Sequence, residues 1–103
     1  MPKMRRIILG AVGVLVLVEG AWAADPFNGA RIYNKHCVSC HGANGRAEMA
    51  ATPDFKAGAQ TFLKTDKQLL DIIKNGKSIM PGYRGMLTDA EMLDSIAHIR
   101  TFF

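Results

Sequence analysis

Cys37-Val38-Ser39-Cys40-His41 constrains this chain more than any other stretch of it. Two thiols three positions apart can each add across one vinyl group of a porphyrin, leaving thioether links that hold it irreversibly. The residue after the second thiol then falls under the metal. His41, tethered by Cys40, stands where an imidazole nitrogen can bind iron as proximal ligand. The motif is therefore read as the attachment site of one c-type haem. A structural disulfide, half of a tetrahedral zinc site and a thioredoxin-like redox pair compete with this reading. Zinc needs four nitrogen or sulfur ligands, usually two such pairs, and the chain has only two cysteines. A redox pair of the thioredoxin kind belongs to a βαβ pattern, which is not visible around the motif.

The start of the chain supports export. Lys3, Arg5 and Arg6 give a positive beginning, Ile7 to Val18 form an apolar run, and Ala21-Trp22-Ala23 supplies small residues at cleavage positions. Residues 1–23 read as a secretory signal peptide, with retention as an uncleaved anchor as the alternative. The run is shorter than the roughly 20 apolar residues of a membrane-spanning helix, so no membrane span is expected once it is cleaved. Haem is joined to cysteine pairs on the export side of bacterial membranes, so signal and motif point to the same place, the periplasm.

Cleavage after Ala23 leaves residues 24–103 as one domain. It removes Lys3, Arg5, Arg6 and Glu19, taking 13 basic and 9 acidic residues to 10 and 8, a net +2. That mild charge, with no Lys/Arg-dense stripe interleaved with aromatics, excludes nucleic acid as a partner. A core this small is marginal without a staple, and a covalently held haem is the obvious one. The apo chain is expected to fold poorly.

Phe27, Ala30, Ile32 and Tyr33 have the spacing of a short amphipathic helix entered through Pro26. Gly29 inside it is costly by propensity and suggests a close helix crossing. From His41 to Thr65 the periodicity breaks down, and Gly42, Asn44, Gly45, Pro53 and Gly58 punctuate a loop expected to pack on the cofactor. Thr65-Asp66-Lys67-Gln68 is a capping box opening a helix with Leu69, Leu70, Ile72 and Ile73 on its apolar face and Gly76 at its end. Thr88-Asp89-Ala90-Glu91 opens another, with Met92, Leu93, Ile96, Ala97 and Ile99 inward, running to Phe102 or Phe103. No strand-like alternation appears. The fold class is all-α, a small domain of three or more helices wrapped around one haem.

The second axial ligand is sought in Ser78-Ile79-Met80-Pro81-Gly82-Tyr83. A thioether is soft, prefers Fe(II) and raises the reduction potential, which suits an electron carrier. Met80 lies in a non-helical stretch that Pro81 stiffens while removing a backbone donor. Met86, Met92 and Met49 compete, since a methionine is by default a gap-filling core residue. Position favours Met80 slightly and leaves Met86 open. His36 and His98 are further candidate ligands, although a lone histidine is more often surface or packing.

These residues resemble class I cytochrome c of the short bacterial mono-haem type. The resemblance runs through Gly29-Ala30-Arg31-Ile32-Tyr33, Cys37 to Gly42, Pro53-Asp54-Phe55, Asn75-Gly76-Lys77, Met80-Pro81 and Leu87-Thr88-Asp89-Ala90-Glu91. It implies haem c bound covalently by Cys37 and Cys40, with His41 and Met80 as axial ligands. It further implies that the Pro53 carbonyl orients the proximal imidazole and that Pro81 supports the distal one. The family's first and last helices cross at a glycine and an aromatic residue. Gly29 fits, whereas His98 stands where the aromatic is expected, and its role is open.

The implied function is one-electron transfer through an exposed porphyrin edge, not enzyme catalysis. Residues 56–84 carry Lys56, Lys64, Lys67, Lys74, Lys77 and Arg84 against Asp66 and Asp71, while residues 85–103 are net acidic. The Lys56–Arg84 stretch is a candidate docking face for acidic redox partners, with an ordinary solvated surface as the alternative. The chain is expected to be a monomer unless held in a complex. Two other readings remain: a haem subunit of a larger dehydrogenase or oxidase complex, and a gas-binding or peroxidase haem protein with an open iron site.

Overall fold

The computed structural model describes residues 23–57 and 59–103. The expected signal peptide, residues 1–23, therefore lies outside the described residues except for Ala23. The helices are α1 (Pro26–His36), α2 (Val38–His41), α3 (Ala59–Leu63), α4 (Asp66–Asn75) and α5 (Asp89–Ile99), followed by a 3-10 turn over Arg100–Phe102. Among the described residues there is no strand, only two isolated bridges, Lys77 with Met80 and Arg84 with Leu87. The all-α expectation holds.

Local chemistry starts each long helix. Asp25 caps α1 by accepting from the Phe27 and Asn28 N–H groups, and Pro26 fills the first turn, where its missing donor costs nothing. Both expected capping boxes are complete: Thr65 with Gln68 on α4 and Thr88 with Glu91 on α5. Gly76 ends α4 at φ 79°, a conformation that suits glycine.

α1 and α5 cross at Gly29. A Cβ there would collide with the backbone oxygen of Asp94, so only glycine allows this approach. Asp94 then ties the two helices: its carboxylate accepts from the Asp25 N–H at 2.7 Å and from Asn28 Nδ2 at 2.8 Å. Ile32 and Tyr33 are buried at this crossing.

Three details differ from the sequence reading. Phe27 is 87% exposed, because it sits in the first turn of α1, ahead of the crossing. The stretch between His41 and Thr65 is not all loop, since α3 lies within it. The last α-helix stops at Ile99 and tightens into the 3-10 turn rather than running on.

The interior falls into two clusters. Leu69, Ile73, Met92 and Ile96 form one, between α4 and α5, with Leu70, Met80, Tyr83, Leu87 and Leu93 packed against it. Tyr33, Phe55 and Ile99 form the other, with Cys37, Val38 and Phe102 against it.

Candidate functional site

α2 is a single turn, and it presents the motif. Its geometry follows directly from α1: the Cys37 N–H still bonds the Tyr33 carbonyl at 2.8 Å, and the His41 N–H bonds the Cys37 carbonyl at 3.0 Å. Gly42, at φ 79°, ends the turn. Tyr33, fully buried, donates its hydroxyl to the Gly42 carbonyl at 2.6 Å and so locks the end of the motif onto α1. Burial, followed by the nearby Cys37 thiol, pushes the Tyr33 phenol upward, which keeps it a donor.

Cys37 and Cys40 are both free thiols and both half-buried. Burial, then the Cys40 thiol, pushes Cys37 up to about 11. Two unpaired thiols one helical turn apart, neither in a disulfide, suit addition to a porphyrin. Among the described residues no group of three or more His, Cys, Asp or Glu side chains could hold a metal ion, which leaves the zinc reading without ligands there.

His41 is 7% exposed, and its Nδ1 lies 3.2 Å from the Pro53 carbonyl oxygen. A carbonyl only accepts, so Nδ1 carries the proton and Nε2 keeps its lone pair. Burial holds the imidazole below its ordinary pKa, against the opposing pull of the Pro53 carbonyl. A neutral ring with one nitrogen anchored and the other free is the form that binds a metal. The Pro53 pairing is the one expected by resemblance.

Phe55 stacks on His41 with ring centroids 4.3 Å apart and planes 11° apart. This contact was not foreseen, although Phe55 follows Pro53 by two residues and its N–H bonds the Gly45 carbonyl at 2.8 Å. The aromatic contacts continue through Phe102 to His98. His98 lies 5.1 Å from Tyr33 and 5.0 Å from Phe102, so it takes the packing place of an aromatic at the α1–α5 crossing.

The methionines are sorted by burial. Met92, 1% exposed, is spent in the core of α5, whereas Met86 and Met49 are 63% and 45% exposed. Met80 is half-buried on a non-helical segment and packs against the α4–α5 cluster. A tight turn holds it, the Lys77 N–H bonding the Met80 carbonyl at 3.0 Å and the Met80 N–H bonding the Lys77 carbonyl at 2.9 Å. Pro81 follows it and is exposed. Cys37, Cys40, His41 and Pro53 thus come together beside one cluster, and Met80 belongs to the other.

The basic stretch is partly ion-paired. Lys67 pairs with Asp71 at 3.7 Å, and Lys74 pairs with Asp89 at 3.0 Å. Arg84 donates to the Asn75 side chain at 2.8 Å, and Lys56 and Lys77 are exposed. No helix among the described residues is long and apolar enough to cross a membrane.

Comparison with known proteins agrees with this chemistry. Residues 24–99 match the family profile described as cytochrome c oxidase, cbb3-type, subunit III. The chain is 31% identical over 101 residues to cytochrome c6 of Thermosynechococcus vestitus, covering 94% of this chain and 90% of that protein. Its fold is that of cytochrome c6 from the diatom Phaeodactylum tricornutum, with a TM-score of 0.63 at 23% identity over 77% of this chain and 99% of the other. It is also similar to part of a reducing HAO-like protein complex of Kuenenia stuttgartiensis, with a TM-score of 0.61 at 25% identity, covering 73% of this chain and 41% of that one. The chain belongs to the cytochrome c family, whose cofactor is covalently attached haem c.

Proposed function

We propose that the protein is an exported, periplasmic one-electron carrier, made with a signal peptide over residues 1–23 and working as the domain 24–103. Its family match begins at Ala24, which supports that division. Cys37 and Cys40 would hold the haem through thioethers, and His41 and Met80 would ligate its iron. Bound there, the haem iron supplies a reversible one-electron couple.

The chain's own residues do the rest. The Pro53 carbonyl fixes the His41 ring and reserves Nε2 for the metal. Tyr33, Phe55, Ile99 and Phe102 keep water from the histidine side, while Leu69, Ile73, Met92 and Ile96 back Met80 with apolar surface. With His41 and Met80 both ligating, the chain would leave no position for a substrate at the metal. The observation that carries this reading is the division of the interior: an anchored, neutral His41 beside one cluster and a half-buried, loop-borne Met80 on the other. The exposed cations of the Lys56–Arg84 stretch are its docking face for acidic redox partners.

A second reading, a haem subunit held in a larger oxidase or dehydrogenase complex, draws on the description of the matching family profile. Two measurements test the carrier reading. The isolated protein should titrate reversibly with one electron and, when reduced, bind carbon monoxide only slowly at neutral pH. Rapid carbon monoxide binding would contradict it, and stoichiometric co-purification with a larger partner would favour the subunit reading.

A further inference from the structure

Tyr83 reaches from the Met80 side of the interior to the Cys37 side. Its ring packs with Met80 against Leu69, Ile73, Met92 and Ile96. Its hydroxyl donates to the His36 carbonyl at 3.0 Å, and the His36 ring meets it edge-on at 5.7 Å. His36 is the last residue of α1 and immediately precedes Cys37. Burial first, then the Cys37 and Cys40 thiols, raise the Tyr83 phenol, so the hydroxyl remains a donor.

The segment carrying Met80 is otherwise fastened to α4. The Tyr83 N–H bonds the Ile73 carbonyl at 2.8 Å, and the Arg84 N–H bonds the Lys74 carbonyl at 3.1 Å. Gly82 lies so close that a Cβ would stand 2.7 Å from the Asn75 carbonyl carbon. These ties hold the segment to its own helix. They do not reach the segment that bears the thiols and His41, whereas the Tyr83 hydroxyl does.

We infer that Tyr83 is a positioning residue: its hydroxyl latches the Met80 segment to the end of α1 and thereby sets how readily Met80 leaves the haem iron. The inference rests on Met80 being the distal ligand, as proposed above. A net hydrogen bond of ordinary strength lowers the population of a locally opened segment by about three- to tenfold. The apparent affinity of an external ligand that needs the open form scales with that population.

The test uses the ferric holoprotein as wild type, Tyr83→Phe and Asp94→Ala, titrated with imidazole. Tyr83→Phe keeps the ring and removes only the hydroxyl, and without imidazole it should retain the weak charge-transfer band of methionine-ligated ferric haem. Its apparent affinity for imidazole should rise about three- to tenfold. Asp94→Ala breaks the α1–α5 tie and lowers overall stability, yet it should bind imidazole as the wild type does. Wild-type affinity in Tyr83→Phe, or an equal rise in Asp94→Ala, overturns the latch while leaving methionine ligation standing. A wild type without the methionine band overturns the ligation reading, and the latch with it.

Discussion

His98 packs between Tyr33 and Phe102 at the place where two helices meet, and it is a titratable ring doing the work of an aromatic one. Burial alone lowers its pKa from the ordinary 6.5. In the unfolded chain the same ring takes a proton at about 6.5, so below that pH unfolding binds a proton that the fold resists. The stability this ring contributes is therefore full above about pH 6.5 and is lost as the pH falls through its folded value. Replacing it with an aromatic that cannot ionise removes the dependence. The stability of His98→Phe relative to wild type, read from urea midpoints, should grow as the pH falls from about 7 toward about 5. A constant difference across that range would show that His98 protonates as freely folded as unfolded.

At the scale of elements, the α1–α5 crossing depends on one missing side chain. By helix propensity alone Gly29→Ala would gain about 1 kcal/mol. Against that stands a methyl group driven into the Asp94 backbone, where nothing flexible can give way, and overpacking of this kind costs about 1–3 kcal/mol. The collision wins, so Gly29→Ala should lower the thermal midpoint, and a stabilised variant would mean that the helices cross elsewhere. Sequence reading reached this crossing and both capping boxes because each has a short-range signature: a glycine amid helical periodicity, or a threonine three residues before a glutamine or glutamate. The Cys37–His41 motif is legible for the same reason, five consecutive residues sufficing to suggest it. Sequence reading missed α3, a helix of five residues, too short for apolar periodicity to announce it. It placed Phe27 on the apolar face because periodicity assigns a face without saying where the partner helix ends. The Tyr83–His36 bond was out of reach, since 47 positions separate its ends and neither residue type signals the other.

The whole molecule is a small domain with two apolar clusters. Lys67 and Lys74 are paired with carboxylates, while Lys56, Lys77 and Arg84 are exposed cations of the basic stretch, Arg84 meeting only the neutral Asn75 amide. Steering by so few charges is weak and strongly screened, because the Debye length falls from about 30 Å at 0.01 M salt to about 3 Å at 1 M. Electron transfer to an acidic partner should slow severalfold between those limits, and Lys56→Ala with Lys77→Ala should flatten the dependence. A rate indifferent to salt would make the stretch an ordinary solvated face.

Ligation by His41 and Met80 is the claim on which the carrier function stands, and the visible spectrum of the ferric protein tests it most directly, recorded for wild type and for Met80→Ala. The account predicts the weak charge-transfer band of sulfur-bound ferric haem in the wild type and its loss in the variant. A wild type that lacks the band and is high-spin, or a variant that keeps it, would contradict the account: the first opens the sixth position to external ligands, and the second hands it to another methionine.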